Sequence, residues 1–287
     1  PTMKDNYGNT PLHIICNNPN LTYDEFKTYF DEILTAALEV NLKQAKVVNS
    51  QNNAGDTPLL IACRFDNISI IEQLLKKGAF PNIPGSKQYT ALHMACQRGY
   101  DKIVKLLLSH EMILVNVKEM FGNTPLHIAV QNRDTSIVKI LLEKMAKLNI
   151  RDNNGNTPLH IALAIRNSKS IELIKVLLKE LNTGHRHRTN IDIKNNNGDT
   201  LLDLACTKNY SPEIIKLLIT HGARNTTKCS NNQIQNYVKN LNEGVRKTQA
   251  KVMQSLNKGI VNAYGSHGLP GKRNLKTINP KEYKILQ

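Results

Sequence analysis

The sequence has no tryptophan, and phenylalanine and tyrosine bring its aromatic share to only 5%. Compact cores lean on such rings, whereas stacked helical units can be filled by Leu, Ile, Val and Ala. No run of 18 or more apolar residues occurs, so no transmembrane helix is expected, and no secretory apolar core opens these residues. There is no CxxC pair among the five cysteines, which argues against a zinc or dithiol site. Neither a nucleophile–base pattern nor a carboxylate cluster stands out, so no catalytic site is nominated, no enzyme activity is expected and no cofactor is implied.

Acidic residues are scarce relative to basic ones, 23 against 38, for a formal net charge of +15. The excess is uneven. Between Asn225 and Gln287, eleven Lys and Arg face only Glu243 and Glu282. A basic tail of this kind serves nucleic acid, an anionic membrane or an acidic protein, or simply a solvated end.

What is present is a repeat. Thr10-Pro11-Leu12-His13 recurs as Thr57-Pro58-Leu59-Leu60, Thr90-Ala91-Leu92-His93, Thr124-Pro125-Leu126-His127, Thr157-Pro158-Leu159-His160 and Thr200-Leu201-Leu202-Asp203. The middle threonines lie 33, 34 and 33 residues apart, the outer intervals being 47 and 43. The first and fifth units therefore carry insertions of about 14 and about 10 residues against a 33-residue period. Turn signals such as Asn53-Ala54-Gly55-Asp56 precede each motif; Thr then caps a helix whose first position accepts Pro. A second amphipathic run follows, as in Ile103-Val104-Lys105-Leu106-Leu107-Leu108, and Gly78 and Gly222 end theirs. Cys16, Cys63, Cys96 and Cys206 each fall six residues after a motif threonine, where Val130 and Leu163 stand in other copies. That interchange marks a small apolar slot, so thiols rather than disulfides are expected, in a reducing cytoplasmic or nuclear compartment.

These residues resemble the ankyrin repeat, from Lys4 to about Asn225. The resemblance implies an all-α ankyrin-repeat solenoid of about six repeats, and beyond it the helical spacing of Ile234, Tyr237, Val238, Leu241, Val245, Val252, Leu256 and Ile260 predicts a C-terminal helical extension. Three segments are expected: a repeat domain over 1–225, a helical extension or cap over 226–264, and a basic loop or tail over 265–287. The first-repeat insertion, with Phe26, Tyr29, Phe30, Ile33 and Leu34, predicts a lengthened helix covering the end of the stack. Leu60, Ala91, Leu201 and Asp203 depart from the motif, the last two as befits a terminal unit.

Ankyrin arrays capture proteins with their turn tips and first helices. Carried over residue by residue, the partner-binding candidates are Tyr7, Tyr89, Met120 and Phe121 at the tips and Arg64, Phe65, Arg98, Arg133, Ile165, Arg166 and Lys208 on the first helices. Tyr89, Met120 and Phe121 are expected to form one apolar patch, and the arginines a basic stripe for an acidic segment. The motif histidines lie one repeat apart and read as structural, not as a metal site. Gly184-His185-Arg186-His187-Arg188 lacks the three or four ligands of a metal centre, and Gly265–Lys272 lacks the spacing of a phosphate loop.

The reading is a protein-binding adaptor, scaffold or inhibitor, a monomer on its own, whose partner carries an acidic or apolar segment. Abundant Asn and Lys, as in AT-rich genomes, combined with such repeats, points to a host-directed effector of an intracellular bacterium or large DNA virus. Two other classes stay open: the substrate-selecting part of a larger enzyme, and binding of nucleic acid or anionic membrane through residues 228–287.

Overall fold

In a computed structural model of the chain, the described residues are 3–165, 168–181 and 190–224, together with scattered positions between 239 and 254. All regular structure among them is helical. Residues up to Ser230 form one compact unit and Asn231–Gln287 another.

The first unit is a succession of helix pairs. They are α1 (Pro11–Cys16) with α2 (Tyr23–Glu39) and the short α3 (Gln44–Val48), then α4 (Pro58–Ala62) with α5 (Ile68–Lys76) and α6 (Ala91–Arg98) with α7 (Asp101–Ser109). There follow α8 (Pro125–Gln131) with α9 (Thr135–Glu143), α10 (Pro158–Ala164) with α11 (Ser168–Leu181), and α12 (Leu201–Thr207) with α13 (Pro212–Thr220). The first helices stack as one layer, α1 on α4 and so on to α12; the second helices stack as another, α2 to α13. This is the two-layer solenoid expected of repeats that each contact only their neighbours.

Each first helix starts where the sequence says it should. The motif threonines sit at the N-cap in extended conformation, and Pro at the first helical position forfeits no bond. Leu12, Leu59, Leu92, Leu126, Leu159 and Leu202 are buried, as are the α7 residues Ile103, Val104, Leu107 and Leu108. Burying a side chain of this size contributes about 1.5–3 kcal/mol, so the layer between the two helix rows carries the hydrophobic stabilisation.

The first insertion lengthens α2 to 17 residues, where α5, α7, α9 and α13 have 9. Phe26, Phe30 and Leu34 point inward at helical spacing, with the two phenyl rings 5.3 Å apart; Tyr29 stays exposed. The fifth-repeat basic loop and the tail over 265–287 lie outside the described residues. Of the extension, Lys239, Asn240, Glu243, Gly244, Lys247, Thr248, Ala250, Lys251 and Gln254 are helical and exposed; the apolar positions of the expected periodicity lie outside the described residues.

Cys16, Cys63 and Cys96 are buried free thiols. Burial lifts Cys63 to about 12 and the other two above the ordinary thiol range, which makes them inert packing groups. Cys206 corrects the expectation that every cysteine is a thiol, because it is disulfide-bonded. The slot in α12 belongs to the last helix pair among the described residues.

Candidate protein-interaction surface

Between repeats the chain forms hairpin-like turns, each closed by its own backbone. Asn52 N–H donates to the Asp56 carbonyl at 3.1 Å, Glu119 to Asn123 at 2.9 Å and Asp152 to Asn156 at 2.8 Å. A side chain at the start of the turn finishes it. The Asp152 carboxylate accepts from the amides of Asn154 and Asn156 at 2.9 and 2.7 Å, and Asn52 and Asn195 use their amide oxygens in the same way. Successive tips are then bonded to one another: Asn53 N–H to Tyr7 O at 3.0 Å, Met120 N–H to Lys87 O at 3.0 Å, Asn153 N–H to Phe121 O at 2.9 Å and Asn196 N–H to Asn154 O at 2.9 Å. Gly122 shows why glycine is needed there. Its φ is +80°, and a Cβ would lie 2.7 Å from the Asn153 nitrogen, inside the next turn.

The motif histidines lock this row to the helices. The Thr124 amide donates to His127 Nδ1 at 3.1 Å, so that nitrogen carries no proton. Nε2 is therefore the protonated one, and it donates to the Asn156 carbonyl of the following turn at 3.2 Å. His13, His93 and His160 repeat the arrangement toward Asp56, Asn123 and Asp199. All four are buried. Burial holds each below the usual histidine range, His93 and His127 at about 4. Neutral imidazoles with both nitrogens engaged cannot act as exposed acids, bases or ligands. Among the described residues no three or more His, Cys, Asp or Glu converge on a point that could hold a metal ion. Asp203 makes the cap, accepting from the Thr200 amide at 3.0 Å and from its hydroxyl at 2.8 Å.

The interaction candidates divide between two edges of this frame. Tyr7, Met120 (47% exposed) and Phe121 (55%) stand out on the tips. Tyr89 does not: it occupies the base of its turn, half-buried, with its ring 5.6 Å from His93. Burial and the nearby Glu119 carboxylate raise its phenol above the ordinary range. The tip beside Met120 is instead Ser86–Gln88, with Lys87 and Gln88 at positive φ.

The other candidates lie at the far ends of the first helices. Arg64 turns back to form an ion pair with Asp56, and its side chain is one-third exposed. Arg98 closes α6 and Arg133 begins the α8–α9 turn at φ +60°, both exposed. The three stand seven, eight and nine residues after their threonines, Arg98 as the last residue of α6 and Arg64 and Arg133 beyond the ends of α4 and α8, so they do not share one helical position. Arg166 lies outside the described residues. Phe65 lines a cleft of about 590 Å³ with Cys16, Pro19, Ile70 and Tyr100. Ile165 is half-buried, its carbonyl accepting from Tyr210 at 3.5 Å, and Lys208 is exposed.

Sequence reasoning missed the pairing between the turn base and the first helix. Asp56 with Arg64, and Asn123 with Gln131 at 3.4 Å, are each eight residues apart. That constant offset from the motif threonine was readable. Missed too was Glu119, whose Oε2 is a buried oxygen with no hydrogen-bond partner.

A family model described as ankyrin repeats (3 copies) matches residues 1–84, 30–119, 112–186 and 149–229. The chain is 29% identical over 208 residues to the human transient receptor potential cation channel subfamily A member 1, which covers 70% of this chain and 18% of that protein. It is 34% identical over 132 residues to ANK repeat-containing protein nipk-1 of Caenorhabditis elegans, 45% of this chain and 21% of that one. It is 32% identical over 102 residues to inversin of Gallus gallus, 36% of this chain and 9% of that one. The chain thus spans about a fifth or less of each of these relatives.

Proposed function

The chain belongs to the ankyrin-repeat family, whose repeats are protein–protein interaction modules, and we propose that it works as an adaptor or inhibitor that captures a partner protein on the face formed by its turn tips and first helices. One observation carries this reading. The motif threonines and histidines are spent inward on holding the frame, while Met120 and Phe121 stand half-exposed on a turn bonded to the turns on either side. Apolar side chains fixed on rigid backbone lose little freedom on docking, which favours them as anchors. Arg98, Arg133 and Lys208 at the far ends of the helices add positive charge, so the partner segment is apolar where it meets the tips and acidic where it crosses the helices. Arg64 contributes less to that charge, because Asp56 neutralises it.

The buried free thiols Cys16, Cys63 and Cys96 suit a reducing compartment, cytoplasmic or nuclear, whereas the disulfide at Cys206 counts against one. No helix among the described residues is long and apolar enough to cross a membrane. A host-directed effector role is the further reading of the Asn- and Lys-rich composition.

The test is affinity capture from eukaryotic lysate with the whole chain, compared with a Met120→Ala/Phe121→Ala variant and an Arg98→Ala/Arg133→Ala variant. A specifically captured protein is expected to be retained by the parent and lost with the tip variant, the fold being checked by circular dichroism. Capture that survives both variants and disappears when residues 228–287 are removed transfers the function to the basic C-terminal segment.

A further inference from the structure

A second exposed row lies on a different edge, where each second helix turns back toward the next hairpin. Phe80 is 45% exposed, Met112 59% and Leu114 57%, and the exposed Met145 continues the row. These side chains come from three successive repeats and are held in register by asparagines. Asn49 accepts from the Phe80 amide at 2.7 Å and donates to the Gly78 carbonyl at 2.9 Å. Asn82 donates to the Met112 carbonyl at 2.5 Å and accepts from the Leu114 amide at 2.9 Å. Asn116 does the same for Met145 and Lys147, at 3.3 and 2.8 Å. Helices packed 8–10 Å apart make this a row roughly 20 Å long.

Lysines surround it. Lys76 and Lys77 precede Phe80, Lys144 and Lys147 flank Met145, and Gln44, bonded to the Lys77 carbonyl at 2.7 Å, brings Lys43 and Lys46 alongside. Glu111 and Glu143 are the acidic residues interspersed among them. Isolated surface apolar residues need no explanation, but one to two per repeat on adjacent braced turns make a patch.

We propose that this edge, Phe80, Met112 and Leu114 with the lysines around them, docks on an anionic lipid surface. Positive charge matches an anionic headgroup layer, and single apolar side chains on turns reach the acyl boundary without needing a complementary pocket. Charge favours this occupant: six lysines against Glu111 and Glu143 stand around the apolar row. The proposal is independent of capture at the tips and leaves that face open.

The chain's lack of tryptophan provides the test. The 287-residue chain with Phe80→Trp carries one indole, and its emission is read with vesicles of phosphatidylcholine alone and with about a third phosphatidylserine, at about 0.15 M salt. The expected result is a blue shift on the anionic vesicles only, with flotation of the protein. Phe80→Ser/Met112→Ser/Leu114→Ser is expected to weaken flotation by roughly tenfold or more while the thermal melt is unchanged. Three outcomes overturn the proposal: no flotation of the parent; flotation equal in the triple variant or without an emission shift, which places the contact on other basic residues such as 228–287; and a concentration-dependent dimer lost in the triple variant, which makes a second copy the occupant.

Discussion

Acid is expected to loosen the stack through its interior histidines. In the folded chain, Nδ1 of His93 and His127 accepts a threonine amide, and a proton added there abolishes the acceptor. Burial accordingly puts both at about 4, whereas a histidine in an unfolded chain titrates near about 6.5. A folded value below the unfolded one means that the stabilisation is complete above about pH 6.5 and is lost as pH falls toward 4. At pH 5 the unfolded chain has taken up both protons and the native chain almost none. With about 1.4 kcal/mol for each pH step between those values, the loss from pH 7 to pH 5 is about 2 kcal/mol per histidine. Urea unfolding followed by far-ultraviolet circular dichroism at the two pH values measures it. The control is His127→Asn, whose amide oxygen can still accept the Thr124 amide but which neither titrates nor reaches the Asn156 carbonyl. It is expected to be less stable at pH 7 by about 1–2 kcal/mol and to lose about 2 kcal/mol less than the parent between pH 7 and 5. The carboxylates held low by hydrogen bonding, Asp5, Glu25 and Glu213, are common to both proteins and cancel. An equal loss in parent and variant would refute the assignment of the pH dependence to this histidine.

Two glycines with the same turn conformation should respond differently to alanine. Gly122→Ala meets both positive φ and the Asn153 backbone, whereas a Cβ at Gly198, φ +77°, meets nothing within 4 Å among the described residues; thermal melts should show the first destabilised by at least about 2 kcal/mol more than the second. Glu119→Asp should stabilise the fold by about 1 kcal/mol, because Asp152 at the equivalent position uses both carboxylate oxygens, the second accepting from Asn156 at 3.4 Å; an unchanged denaturation midpoint would show that the unpaired Glu119 oxygen costs nothing. Asn82→Ala removes two hydrogen bonds between neighbouring repeats and should cost about 1–3 kcal/mol, with faster hydrogen exchange at the Leu114 amide as the local readout.

The sequence by itself determined the frame. Six copies of one motif, the middle four 33 or 34 residues apart, fixed the class of fold, the start of every first helix and the inward leucines, because capping and burial depend on residue type and local order alone. The lengthened first insertion was legible for the same reason: Phe26, Phe30 and Leu34 share a helix face whatever they pack against. The histidines were read as structural from their separation of one repeat, and the geometry supplied their tautomer and partners. Tertiary structure alone decided where exposed side chains stand. Tyr89 and Phe121 look alike as turn aromatics, yet one backs onto His93 at the base of its turn and the other leaves the tip. The arginines recur once per repeat in the sequence but differ by one residue in register: Arg98 still belongs to α6, Arg64 follows α4 and pairs with Asp56, and Arg133 stands in the turn after α8 at positive φ. The row of Phe80, Met112 and Leu114 was invisible because it depends on asparagines some thirty residues away that set neighbouring turns side by side. Local chemistry writes each repeat; the bonds between repeats decide which of its side chains share a surface.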